Sequence, residues 1–175
     1  MQVKLGKYSE MAPLLPSEKR LIERVRVVSQ RETVELVYEY TIPDFHLLLH
    51  KTGESFYTPP FFAMSCLNIQ WCLLIYPRGN CAASYGHFSV FLVRLLKSNE
   101  DALVAARFKL SIVSNGEEFH SHKAGPYQFG PGEELARGWS KALNPQQLCS
   151  VKGQVKIVCH LECEVQRSWI TQSAK

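Results

Sequence analysis

The chain has 175 residues, 46% of them apolar and 21% charged, with 10 Gly and 9 Pro, a balance that excludes a disordered or collagen-like chain and fits one globular domain with an extension. Lys plus Arg is 20 against 16 for Asp plus Glu, and the excess is local, since residues 1–31 carry Lys4, Lys7, Lys19, Arg20, Arg24, Arg26 and Arg31 against Glu10, Glu18 and Glu23. The remaining 144 residues hold 13 bases and 13 acids, so a domain-wide basic footprint is absent and nucleic acid is not an expected partner.

The amino terminus, MQVKLGKYSEM, lacks the apolar stretch of a secretory signal. No apolar run reaches the ~20 residues of a spanning helix. An intracellular place, nucleus or cytoplasm, is expected, with no membrane contact. In that setting the six cysteines, Cys66, Cys72, Cys81, Cys149, Cys159 and Cys163, read as reduced thiols rather than a disulfide framework.

In chain order, SEKRLIERVRVV (17–28) holds Leu21, Ile22 and Val25 on one side of a short helix begun at Ser17. Its β-branched end serves equally to open a strand. A boundary is placed near residue 32, giving a basic extension over 1–31, a domain over 32–166 and a tail over 167–175. Within the domain, strand signals occupy 33–42, 69–76, 87–96, 105–113 and 154–165, runs rich in Val, Ile, Phe and Tyr. Pro77-Arg78-Gly79-Asn80, Ser114-Asn115-Gly116 and Gly130-Pro131-Gly132 punctuate them as turns. No long amphipathic helix intervenes, so the expected fold is an all-β antiparallel sandwich. Asn144 before Pro145 predicts one short helix near 145–149. In the last strand Val155, Ile157, Cys159, Leu161, Cys163 and Val165 share one face, which points both cysteines into the core.

Catalytic and cofactor chemistry finds little support. The pair Cys159 and Cys163 with His160 between, and His120 with His122, lack the four converging ligands of a structural zinc site, so no metal is expected. A G-x-S-x-G elbow and both glycine-rich phosphate motifs are missing, and Asp44 and Asp101 are the only aspartates. Neither an enzyme nor a cofactor or small-molecule substrate is expected.

The strand sequences do resemble a known family. Tyr38-Glu39-Tyr40-Thr41-Ile42-Pro43-Asp44-Phe45 is similar to the Y-x-W-x-I-x-x-F opening of the MATH (meprin and TRAF homology) domain. Trp71 to Gly79 resembles its W-x-L-x-x-x-P-x-G segment, and His87 to Leu92 its Y-L-S-L-Y-L strand. Ala106 to Ile112, Tyr127-Gln128-Phe129, Trp139 and Val158 to Val165 follow in the same order. The resemblance covers roughly 33–166 and is closest to the speckle-type POZ protein branch.

That resemblance implies an eight-stranded antiparallel sandwich with a shallow groove for short extended, Ser/Thr-rich peptides of partner proteins. Such a domain serves as the substrate-recognition part of ubiquitin-ligase adaptors whose BTB/POZ domain recruits the ligase. About ten residues follow Val165, so this chain by itself is expected to recruit none. Carried over position by position, the groove comprises His87 for a Tyr, Phe108 for a Phe, Tyr127 for a Tyr with Phe129 in phase, and Trp139 for the Trp of K-D-W-G-F. Sheet parity alone places Phe108 with Leu110 and Ile112 in the core, and either Tyr127 or Phe129 is open to a packing role. Arg137 or Gly138 stands where the branch has Asp, Lys141 is close by, and no acid lies between Leu135 and Leu161. Arginine donates hydrogen bonds and accepts none, so acidic or phosphorylated peptides are expected to be favoured. The rival reading, motivated by the lost Tyr, Asp and Phe, is a structural or assembly domain with a vestigial groove, in which case the chain forms oligomers.

Overall fold

The structure, a computed structural model, describes residues 25–97, 102–133 and 135–172. Eight strands are present among them: β1 (Val25–Ile42), β2 (Phe56–Tyr57), β3 (Gln70–Tyr76), β4 (Phe88–Leu95), β5 (Val104–Ser114), β6 (Glu117–Phe129), β7 (Ala136–Leu143) and β8 (Val155–Gln172). They form two four-stranded sheets, ordered β1-β8-β5-β6 and β2-β3-β4-β7, with antiparallel registers in each. The expected sandwich is therefore the observed one. Residues 29–168 make up one compact unit, and residues 25–28 and 169–172 fall in a second.

Alternation explains how the layers form. On β8 Val155, Ile157, Cys159, Leu161, Cys163 and Val165 are all buried and the residues between them are not, as the period of two requires. On β4 Phe88, Val90 and Leu92 point the same way, and on β5 Ala106, Phe108, Leu110 and Ile112 do. These faces meet in one apolar core, where Trp71 of β3 packs edge-on against Phe129 of β6 at 5.1 Å between ring centroids. Arg94 continues the inward face of β4, and its guanidinium donates to the carbonyls of Ala102 and Phe129, so a charge is tolerated inside because carbonyls receive its donors.

Turn and cap chemistry closes the connections. Asn115 and Gly116 both take positive φ, 50° and 82°, joining β5 to β6 through the tight turn that needs left-handed residues at both central positions. Asn144 accepts from the Gln147 N–H and Gln147 Oε1 accepts from the Asn144 N–H, each at 2.9 Å, with Pro145 opening the helix α1 (Pro145–Ser150). This reciprocal cap is the helix expected near 145–149.

Three differences from the sequence reading have physical causes. The helix begun at Ser17 lies outside the described residues, and VRVV opens β1. Strands β1 and β8 are longer than their apolar runs, since β1 begins at Val25 and β8 continues to Gln172. Strands β6 and β7 were not among the expected runs, because most of the side chains of β6 are exposed and β7 interrupts its pattern with Gly138.

Candidate functional site

The two sheets meet unevenly where β6, at one edge, approaches β7, at the edge of the other. A cleft of about 300 Å³ opens there, lined by Phe91, Lys123, Ala124, Tyr127, Ala136, Arg137, Gly138 and Trp139. Three features of the backbone create it. The β5–β6 register shifts between Ala106 and Phe108, so Tyr127 and Ala124 bracket an extra residue on β6. Gly125 takes φ of 101° there and lies so near Ala106 O that a Cβ would stand 2.7 Å from it, a position glycine alone suits. On the far wall Gly138 lies opposite Phe91, and a Cβ would meet Val90 O at 2.1 Å and Phe91 Cα at 2.6 Å.

The side chains interlock around Trp139. Its ring contacts those of Phe108 at 5.8 Å, His120 at 5.1 Å and His122 at 5.9 Å. Tyr127 leans toward Phe108 at 6.4 Å and carries the Arg137 guanidinium 4.9 Å above its ring, which orients that cation by cation–π attraction. Lys123 and Arg137 are the charged lining residues among those described, and no carboxylate is among the described lining residues.

His120 is buried, and its Nε2 has no hydrogen-bond partner among the described residues. Burial first, and the neighbouring His122 second, push its pKa down to about 4, against the opposing pull of the Ala142 carbonyl and Glu118. It is therefore a neutral wedge behind Trp139. Burial likewise raises the thiol of Cys159 to about 12 and those of Cys163 and Cys72 to about 11. These thiols stay protonated and unsuited to nucleophilic or metal chemistry at neutral pH. Among the described residues no three His, Cys, Asp or Glu converge as a metal site, and no helix is long and apolar enough to cross a membrane.

Of the seven residues singled out from sequence, Tyr127, Arg137 and Trp139 line the cleft together. Phe108 lies beneath it, buried, with its ring against Trp139. Phe129 is a correction: it is wholly buried against Trp71 and offers no surface to a peptide. His87 is a second correction, since it precedes β4 and its Nδ1 lies 3.1 Å from Tyr85 O. The register puts the next residue, Phe88, opposite Leu143 while Trp139 pairs with Val90. Lys141 is exposed on β7 beyond Trp139 and does not line the cleft.

Sequence reading missed Phe91 and Lys123. The signal for Phe91 was present, because Phe88, Val90 and Leu92 fix the inward face of β4 and leave an aromatic on the opposite one. There it joins an apolar stripe of Cys72, Leu74 and Val93, with Tyr76 at 6.1 Å. Lys123 carried no signal, being one polar residue in a polar edge strand.

With this geometry in hand, residues 37–165 match the family model of the MATH domain. The chain is 30% identical over 97 residues to "TD and POZ domain-containing protein 1-like" and to "TD and POZ domain-containing protein 1", both of Mus musculus. It is 30% identical over 96 residues to "TD and POZ domain-containing protein 3" of the same organism. Each alignment takes in a little over half of this chain, 55% for the first, and 26% of the relative, so the matched stretch spans about a quarter of each relative's length.

Proposed function

The chain belongs to the MATH-domain family, a family of protein-interaction domains, and from that premise we propose that it is a non-catalytic peptide-recognition module whose cleft between β6 and β7 holds an extended acidic or phosphorylated segment of a partner protein. The observation that carries this reading is the lining itself: three aromatic side chains, Phe91, Tyr127 and Trp139, beside two cations and, among the described residues, no carboxylate. An extended segment laid along the edge strand β7 gains main-chain hydrogen bonds, and the aromatic side chains supply anchors. Arg137, held over Tyr127, presents a planar fork suited to a carboxylate or phosphate and accepts nothing from a neutral hydroxyl.

As in the branch it resembles, the captured protein would be a ubiquitin-ligase substrate, and the complex would form inside the cell, in nucleus or cytoplasm. Truncating a buried aromatic anchor costs ~2 kcal/mol or more, so Trp139→Ala should weaken binding roughly thirtyfold or more. A peptide array probed with the purified chain, followed by titration of the selected peptide against Trp139→Ala, tests this. Unchanged affinity in the variant rejects the cleft as the binding site and favours the rival, a vestigial groove on an assembly domain.

A further inference from the structure

Beyond the last residues of β7 lies a second and larger cleft, of about 690 Å³, which the peptide reading does not use. Its floor is apolar, made by Phe45, Leu148 and Val151, all buried. Three separate segments build it: the 3₁₀ turn at Phe45–Leu47 with the loop after it, the β3–β4 connection, and α1. Hydrogen bonds stitch them together. Thr52 Oγ1 donates to Arg78 O at 2.8 Å, the Gly53 N–H to Gly79 O at 2.8 Å, and the Phe45 N–H to Gly153 O at 2.9 Å. A cleft fixed in this way binds without paying for loop ordering.

The rim is cationic. Lys51 and Arg78 line it along with the imidazoles of His46 and His50, and no carboxylate is among the described lining residues. The Arg78 guanidinium and the Lys51 ammonium enter no ion pair or hydrogen bond among the described residues, where the ion pairs are Lys109 with Glu118 and Lys156 with Glu39. The acid at the margin, Glu54, accepts from the Lys51 backbone N–H at 2.7 Å. Tyr85, 76% exposed, stands at the rim.

We propose that this cleft is a second docking site, one that takes an acidic segment of a partner protein with an apolar side chain among its carboxylates. The volume falls in the range of ~300–1,000 Å³ that ligand pockets occupy. The apolar floor accepts a leucine-sized group, and two cations at the rim, unpaired among the described residues, call for carboxylates beside it. This site shares no lining residue with the β6–β7 cleft and stands or falls independently of the function proposed for that cleft.

The test uses the isotope-labelled full chain and a hexapeptide of alternating glutamate and leucine, followed by amide chemical shifts at low salt. Saturable shifts are expected at Thr52, Gly79, Gly86 and Leu148, and they should persist in Trp139→Ala, which separates them from any binding at the β6–β7 cleft. A Lys51→Gln/Arg78→Gln double variant should bind about tenfold more weakly, as loss of two charge-assisted contacts predicts. The wild-type affinity should also fall with added salt, a readout that needs no variant. The proposal is overturned if the peptide moves none of those amides at millimolar concentration, if the double variant binds as well as the wild type, or if Trp139→Ala removes the shifts. A matched peptide of alternating glutamine and leucine binding equally well also overturns it. So does inorganic polyphosphate displacing the acidic peptide, because a nucleotide-like or lipid-headgroup anion would then be the better occupant.

Discussion

Gly138 shows how one residue can hold a site together. Its place opposite Phe91 leaves no room for a Cβ, which would stand 2.1 Å from Val90 O, so any side chain must push β7 off β4. Gly138→Ala should therefore destabilise the fold by at least about 2 kcal/mol, the scale of an overpacked interior, and spread the wall that carries Arg137 and Trp139. Urea unfolding checks the first effect, and the tryptophan fluorescence of the folded variant the second. A stability equal to the wild type would mean that the close approach is not real. His120 gives a pH signature of its own. Unfolded, it takes a proton near its ordinary 6.5; folded, only near 4. Between those values the unfolded chain binds more protons, so stability falls as pH falls from about 6.5 to about 4, by up to about 3 kcal/mol. In His120→Phe that part of the acid loss should vanish, and denaturant curves at a series of pH values would show the wild type losing up to about 3 kcal/mol more than the variant between pH 6.5 and about pH 4. Parallel profiles would contradict the buried neutral imidazole.

At the scale of elements, legibility in the sequence followed burial. Strands β3, β4, β5 and β8 bury one or both faces, so their apolar residues carry the period that sequence reading detects. The cap of α1 was equally legible, because Asn-Pro and the glutamine three residues after Asn144 act locally. Strands β6 and β7 are sheet edges, and edges are exactly where one flank and much of the side-chain surface stay in water. Their pattern is accordingly weak, yet they form the walls of the cleft. That is why Tyr127, Arg137 and Trp139 were found through family resemblance while Lys123 was not found at all. Tyr127 and Phe129 share one face of β6, yet Phe129 is wholly buried against Trp71 while Tyr127, at the cleft, is 37% exposed with Arg137 over its ring. The family resemblance placed both at the groove and left either one open to a packing role.

For the whole molecule, the sandwich sets two clefts of similar chemical character at different places, each apolar within and cationic without. One lies where β6 approaches β7, the other among the loops and α1 beyond β7. The MATH family supplies the expectation of partner proteins, and the proposal is that the charge of the clefts selects among them. A neutral Ser/Thr-rich segment offers hydroxyls that Arg137 and Lys123 can donate to only weakly, whereas a phosphate or carboxylate forms charge-assisted hydrogen bonds worth about 1.5–3 kcal/mol each. The measurement that bears most directly on this account is a titration of one array-selected peptide in matched phosphorylated and unphosphorylated forms against the wild type and Arg137→Asp. The phosphorylated form should bind the wild type at least about tenfold more tightly, and Arg137→Asp should remove or reverse the preference. Equal affinity of the two forms for the wild type would contradict it.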